Sequence, residues 1–366
     1  MNILILNWRD IKNPRAGGAE SLTHEIAKRW VKWGHKVTLI SERFSSSSAR
    51  EILDGVTIIR SGKWWNVHIH AALIYLLKLR HEVDVIIDEV HWFPFFSIFY
   101  SRGKTVLLVC EVANQLFFKL FPFPIAIVGR MLEKIYFYLY RTVPVIAISQ
   151  TTRADLVKEG LDMRRVTVLP MGLTVPPAIR LARKQVTPTL TFIGRLHSLK
   201  GIEDAISAFG LIHRLKPSCR FWIIGDGEED YLKLLKRRVQ KLGLTPVTKF
   251  FGPVSQSQKF ELLSRSHLLL VPSAHEGWGL VVSEAAFVGT PTVAYRAGAL
   301  QESVQDGQTG VLVRRNTPGE LAGEAVGLLE DKSRYRRLQR RGVTVAKRMS
   351  WDDTAAAAIR ILKLVS

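Results

Sequence analysis

With 366 residues, 47% of them hydrophobic and 23% charged, the chain is too long for one ordinary core and too apolar for a disordered polymer. Its two cysteines, Cys110 and Cys219, stand in no CxxC or zinc-ligand spacing, which argues against a disulfide framework and a structural zinc. The formal charge of +20 is spread along the chain rather than gathered in a tail, and suits an anionic partner: nucleotide, nucleic acid or lipid headgroup.

The opening stretch is apolar but too short for a signal-peptide core and lacks a basic flank, so Ile3–Asn7 is read as a first strand. Apolar residues at helical spacing follow over Ala19–Trp33 and stop at Gly34. Strands are predicted over Val37–Ser41, Val56–Ile59, Val83–Asp88, Thr105–Cys110 and Val145–Ser149. Ser149 then caps a helix around Arg153–Glu159, and Val166–Leu169 follows. No apolar run reaches the ~18 residues of a membrane-crossing helix, and the expected location is the cytoplasm or the cytoplasmic face of a membrane.

The rhythm breaks between Leu173 and Pro188, where Pro176-Pro177, a basic stretch and Thr187-Pro188 read as a linker over 176–188. It restarts with strands at Leu190–Ile193, Phe221–Ile224, Val247–Phe251, His267–Val271, Thr292–Tyr295 and Gly310–Val313, alternating with helices. Two helices near Pro318–Leu329 and Ser333–Arg348 follow, and a last one near Asp352–Leu364. Such alternation means βαβ units. The expected fold class is α/β: two Rossmann-like, doubly wound domains, 1–175 and 189–349, facing a central cleft, with 350–366 packing back on the first.

Four loops draw attention. In Ser273-Ala274-His275-Glu276-Gly277-Trp278-Gly279-Leu280, leading to Glu284, the glycines let a ligand approach the backbone and the free amides at the helix start favour a diphosphate. Glu276 and Glu284, eight residues apart, could bracket a sugar-diphosphate; a cap glutamate plus a surface glutamate is the plainer alternative. Gly194-Arg195-Leu196-His197-Ser198-Leu199-Lys200-Gly201 ends a strand with two cations, a rigid fork and a mobile point charge, or simply a solvated basic loop. Asn13-Pro14-Arg15-Ala16-Gly17-Gly18 offers a glycine pair with exposed amides, or only a flexible turn. Gly225-Asp226-Gly227 imitates a dinucleotide loop, but Asp226, Glu228, Glu229 and Asp230 would repel a phosphate, and it reads as a capped packing turn.

The first three of these segments together resemble glycosyltransferase family 4, retaining enzymes of GT-B architecture within the glycosyl transferases group 1. The resemblance is densest over 190–315, in "GRLHSLKG" and "PSAHEGWGLVVSEAAFVGTPTVAY", with "GGAE" as the N-terminal glycine loop. It implies a UDP- or GDP-sugar as donor substrate, no obligatory cofactor and no bound metal. Glu276 would hold the transferred sugar with Gly277, Trp278, Gly279 and Leu280. Glu284 would bind the ribose, Arg195 and Lys200 the diphosphate, Val254 the base, and Gly17 and Gly18 the donor from the N-terminal side. Where the family often has a histidine at the end of an N-domain strand, this chain has Cys110, so Glu111 or His91 takes its task, or activity is weak or absent.

The aromatic, basic segment Gln115–Tyr140 fits an anionic membrane surface and a lipid-linked acceptor, or equally a core helix with ordinary exposed cations. No motif that reads RNA or DNA accompanies the charge, so nucleic acid is not an expected partner. Two other readings fit the same motifs: a nucleotide-sugar binder without turnover, and a nucleotide-sugar epimerase of the same architecture.

Overall fold

The β-branched runs form the strands of two sheets. The computed structural model describes residues 1–177, 179 and 181–366. The chain divides into two compact units, Met1–Gly172 with Ser350–Ser366, and Leu173–Met349.

Unit 1 is built on eight strands: β1 Asn2–Leu6, β2 Lys36–Ser41, β3 Arg50–Leu53, β4 Val56–Arg60, β5 Val85–Val90, β6 Thr105–Val109, β7 Val145–Ala147 and β8 Val166–Val168. They lie in the order β3-β4-β2-β1-β5-β6-β7-β8. All neighbours are parallel except β3, which pairs antiparallel with β4. The unexpected β3 is a hairpin partner: Asp54 and Gly55 both have positive φ, 50° and 81°, as a two-residue turn of matching twist requires.

Strand β5 runs two residues later than its sequence suggests. The apolar run stops before Asp88, yet Asp88 and Glu89 continue the strand with no exposed surface. Asp88 is satisfied by the Phe95 and Ser97 amides (2.7 and 3.0 Å), the Ser97 hydroxyl (2.8 Å) and the Tyr140 phenol (2.5 Å). Burial raises its pKa and these donors oppose the rise.

Helix Gly18–Lys32 packs against helix Trp351–Leu362. The Trp30 indole donates to the Ala355 carbonyl at 3.0 Å, and Thr354 donates to the Pro170 carbonyl at 2.7 Å. Helix Phe123–Leu139 buries only Ala126, Glu133, Tyr136 and Phe137.

Unit 2 has six parallel strands: β9 Thr189–Ile193, β10 Arg220–Ile224, β11 Thr248–Gly252, β12 Leu268–Val271, β13 Thr292–Ala294 and β14 Gly310–Leu312. Their order is β11-β10-β9-β12-β13-β14. Residues 182–185, read from sequence as linker, are bonded to this unit. Ala182 N–H donates to Ser264 (3.0 Å), Lys184 to the Ser266 carbonyl and the Thr290 hydroxyl (2.6 Å each), and Gln185 N–H to Arg265 (3.0 Å). Among the described residues no helix is long and apolar enough to cross a membrane.

Candidate functional site

The loops at the carboxyl edge of the unit 2 sheet are pinned backbone to backbone. The Gly194 amide donates to Ile224, Leu196 to Asp226, and Ala274 to Leu199 (3.1, 2.7 and 2.8 Å). Two glycines are demanded by this crowding. Gly201 has φ +70°, and a Cβ there would stand 2.0 Å from the Pro272 carbonyl oxygen; Gly298 has φ +52°, and a Cβ would meet the Glu276 carbonyl oxygen at 2.5 Å. The loop after β9 thus lies against the loop after β12, which carries the Lys200 ammonium to Glu276.

Lys200 Nζ lies 2.7 Å from Glu276 Oε1, and the Ser273 hydroxyl donates to the same oxygen at 2.8 Å. The Glu276 carbonyl is held by the Ala299 amide at 2.9 Å. Gly277, Trp278 and Gly279 then lead into helix Leu280–Phe287, whose N-cap Gly279 supplies no side-chain cap and whose first turn holds no acid. Those amides and the positive end of the helix suit an anion. The Trp278 indole donates to Ser283 at 3.4 Å and fixes the approach.

Glu284 is buried one turn inside this helix, not two, because the helix begins only at Leu280. Its Oε1 lies 2.5 Å from Lys259 Nζ, on helix Gln256–Arg265. Sequence reasoning passed over both Lys259 and Ser273. The first stands 25 residues from its partner; the second sits inside the motif, three residues before Glu276, and was readable there as a hydroxyl within reach.

Arg195 is exposed in the loop after β9, and Val254 follows Gly252 and Pro253 after β11. Gly225-Asp226-Gly227 is the packing turn expected, with a Cβ on Gly227 falling 2.5 Å from the Leu196 carbonyl oxygen. It is not side-chain capped as expected, since the N-cap Glu228 makes no such bond. Among the described residues no group of three or more His, Cys, Asp or Glu side chains could hold a metal.

In unit 1 the glycine pair departs from its expected form. The Gly17 amide is not exposed to a ligand: Glu20 Oε2 accepts from it at 2.6 Å, a capping contact at the start of helix Gly18–Lys32. A buried polar cluster that sequence reasoning missed surrounds Glu89 at the end of β5. Asn7 Nδ2 and the Thr23 hydroxyl donate to its Oε2 (2.7 and 2.6 Å), and His91 Nε2 lies 2.9 Å from Oε1. The His91 ring also stacks on Trp8, with centroids 5.2 Å apart. Burial disfavours its protonation, but the Glu89 carboxylate, with Glu20 and Glu111 further off, outweighs that and raises its pKa. Cys110 is buried with Sγ 3.9 Å from Glu89 Oε1, and burial first, then the Glu89, Glu111 and Glu20 charges, push its thiol well above the usual range. Glu111 follows it, exposed.

Comparison with known proteins follows the same division of the chain. The profile of glycosyl transferases group 1 matches residues 180–345, and that of glycosyltransferase family 4 matches residues 16–175. D-inositol 3-phosphate glycosyltransferase 2 of Catenulispora acidiphila is 32% identical over 233 residues, 58% of this chain and 54% of that protein. Glycogen synthase of Mycobacterium tuberculosis is 25% identical over 398 residues, 99% of this chain and 94% of that protein. The chain spans about half the length of the inositol phosphate glycosyltransferases it matches. Anabaena HepE, solved in complex with UDP and glucose, superposes with a TM-score of 0.77 at 20% identity, covering 100% of both chains. At that identity the likeness is one of fold, two Rossmann-like α/β domains of the GT-B class.

Proposed function

The chain belongs to the group 1 glycosyltransferases, and from that premise we propose that it is a retaining glycosyltransferase using a UDP- or GDP-sugar. The observation that carries this reading is Glu276, fixed between Lys200 and Ser273 just before the uncapped start of helix Leu280–Phe287. In it, Glu276 holds hydroxyls of the transferred sugar and Glu284 those of the ribose. Lys200 and Arg195, with the helix amides, take the diphosphate, and the segment at Val254 meets the base. HepE was crystallised with UDP and glucose, which supports a donor of this kind.

In this reading, as the bond from the anomeric carbon to the diphosphate breaks, the charge that grows on the leaving oxygens is met by Lys200, Arg195 and the amides of the helix start. The acceptor oxygen attacks from the face the diphosphate leaves, and its proton passes to a leaving phosphate oxygen. Configuration is then retained, and turnover is expected to persist in chelator. Nucleoside diphosphate release, screened over UDP- and GDP-sugars, tests the assignment. Glu276→Ala and Lys200→Ala should each lower kcat by roughly 100- to 1,000-fold, the size of losing an oriented charge-stabilising group. Unchanged turnover in both would sink it.

The reading extends to the acceptor, a glycan or lipid-linked sugar reached at an anionic membrane in the cytoplasm. Its support is the outer face of helix Phe123–Leu139, with Phe123 70%, Ile125 56%, Met131 58% and Ile135 53% exposed. Between residues 118 and 142 the one acid, Glu133, is buried against Arg130, while Lys119, Lys134 and Arg141 face outward. Such a face suits anionic headgroups over acyl chains. Cys110 favours a second reading, a donor binder without turnover, because a buried protonated thiol cannot replace an imidazole. Saturable UDP binding without release against any acceptor would select it.

A further inference from the structure

One helix of unit 2, Lys332–Ala346, carries a row of cations that the donor site does not use. From Lys332 to Trp351 the chain has eight lysines and arginines and no acid. Arg336, Arg337, Arg340 and Arg341, at the spacing of a single helix face, are all exposed, and the exposed Lys347 and Arg348 continue the row just past the helix end. At 1.5 Å per residue the row is about 18 Å long.

The opposite face of the helix fixes this row in place. Leu338, Gly342 and Ala346 are buried against the unit, and a Cβ on Gly342 would stand 3.5 Å from the Ala286 side chain. The Tyr335 phenol donates to the His267 carbonyl at 3.0 Å, and Gln339 Nε2 to the Gly289 carbonyl at 2.9 Å. With every inward position taken, the helix cannot roll, and the arginines stay outward.

Nothing nearby neutralises them. The helices packed against this one are Leu280–Phe287 and Pro318–Glu330, and their acids are committed elsewhere. Glu284 faces Lys259 (2.5 Å), Glu320 faces Arg315 (2.9 Å), Glu324 faces Arg334 (3.3 Å) and Glu330 faces Lys216 (2.8 Å). The N-cap Asp331 accepts from the Arg334 amide at 2.8 Å. Among the described residues, none of the six outward cations has a carboxylate partner. The helix itself is weakened by the arrangement. Arg336 and Arg340, and Arg337 and Arg341, are like charges one turn apart, and Lys332 and Arg334 lie in the first turn, where the helix dipole disfavours cations. A local conflict of this kind is kept where a partner offsets it.

The partner is an extended layer of negative charge. The row offers no exposed aromatic or amide side chain to stack on or read a base, since Tyr335 and Gln339 are used inward. It also lacks the exposed apolar centre that a protein interface needs. A straight, rigid line of cations fits the plane of lipid headgroups, where attraction adds up cation by cation and no side chain has to penetrate. We propose that this arginine row is an electrostatic membrane contact of unit 2 and rests on the headgroups of an anionic leaflet. It is separate from the apolar helix face of unit 1, and it depends neither on that face nor on turnover.

Sedimentation of the full chain with phosphatidylcholine vesicles, with and without phosphatidylglycerol, tests it. R336Q/R337Q/R340Q/R341Q should lower partition into the phosphatidylglycerol vesicles by about 100-fold or more, at roughly fivefold per cation, and leave binding to pure phosphatidylcholine unchanged. Lysine at the same four positions should restore capture, because a leaflet reads charge, and added salt should weaken it. The same loss should recur in a Phe123→Ser background, so failure of the unit 1 face leaves this result standing. The glutamine variant should melt no lower than wild type, since it removes like-charge pairs, and this reports that it is folded. Phosphatidylglycerol binding that survives the four glutamines, or that lysine does not restore, overturns the proposal. So does tighter binding to a DNA duplex that the same glutamines abolish, which assigns the row to nucleic acid.

Discussion

The two units place carboxylates near the carboxyl edges of their sheets, yet use them in opposite ways. In unit 2 both site carboxylates face a lysine from another element, Glu276 with Lys200 and Glu284 with Lys259. In unit 1 the carboxylates are sunk below the edge, where neutral donors, His91 or Arg60 saturate Asp88, Glu89 and Asp10. The Lys200–Glu276 pair, on two loops with Lys200 partly exposed, can exchange its partner for a ligand, while Lys259 and Glu284 meet between two helices with little exposed surface. A buried carboxylate saturated by fixed donors shapes the loops around it and stays where it is. Unit 2 thus presents charge for a ligand to replace, while unit 1 spends its acids on scaffolding and leaves cations at the surface.

The contrast can be broken first at its structural end. Asp10→Ala leaves the Arg60 guanidinium, with 1% of its side chain exposed, without its main partner. Unit 1 should lose about 3–5 kcal/mol in denaturant unfolding; a loss below 1 kcal/mol would mean that water or Glu51 takes over. A smaller effect is expected from pH. His267 Nδ1 accepts from the Thr189 amide at 3.0 Å and so must be unprotonated, and burial, with Lys184 nearby, lowers its pKa to about 4. The unfolded chain binds the extra proton between about 6.5 and 4, so unit 2 should lose about 2–3 kcal/mol as pH falls through that window. His267→Gln should flatten the profile, and a wild-type profile already flat there would remove the argument.

At the ligand-facing end the effects shrink. Glu284→Gln should weaken UDP binding about tenfold in calorimetry, one charged hydrogen bond's worth, with little change in melting temperature. A loss of stability with no loss of affinity would move Glu284 into the scaffolding class. Smallest is Lys134→Gln, which should weaken capture by phosphatidylglycerol vesicles about fivefold, near 1 kcal/mol for one interfacial cation. Vesicle binding indifferent to this change and to Phe123→Ser would leave the outer helix face to another partner.

What could be read from the sequence follows the same divide. The unit 2 loops were legible because their chemistry is local: Arg195 to Lys200 and Glu276 to Glu284 each fall within one strand-loop-helix passage, and the strands before them are unbroken apolar runs. Glu89 was missed because buried acids look like the end of a strand, and only Asn7 and Thr23, 82 and 66 residues away, make it an inside residue. The β3–β4 hairpin was passed over although Asp54-Gly55 announces it, since Arg50–Leu53 lies on an edge with mixed burial.

Helix Trp351–Leu362 has a consequence for how the protein is made. Its residues supply the carbonyl that Trp30 bonds and the hydroxyl that bonds Pro170, and its Trp351 packs on Gly172, where a Cβ would fall 2.2 Å from the indole. Unit 1 is therefore begun first during synthesis and finished after unit 2. While residues 173–349 emerge and fold, helix Gly18–Lys32 waits with the surface around Trp30 open to chaperones and proteases. A nascent chain stalled anywhere before residue 351 carries that open surface.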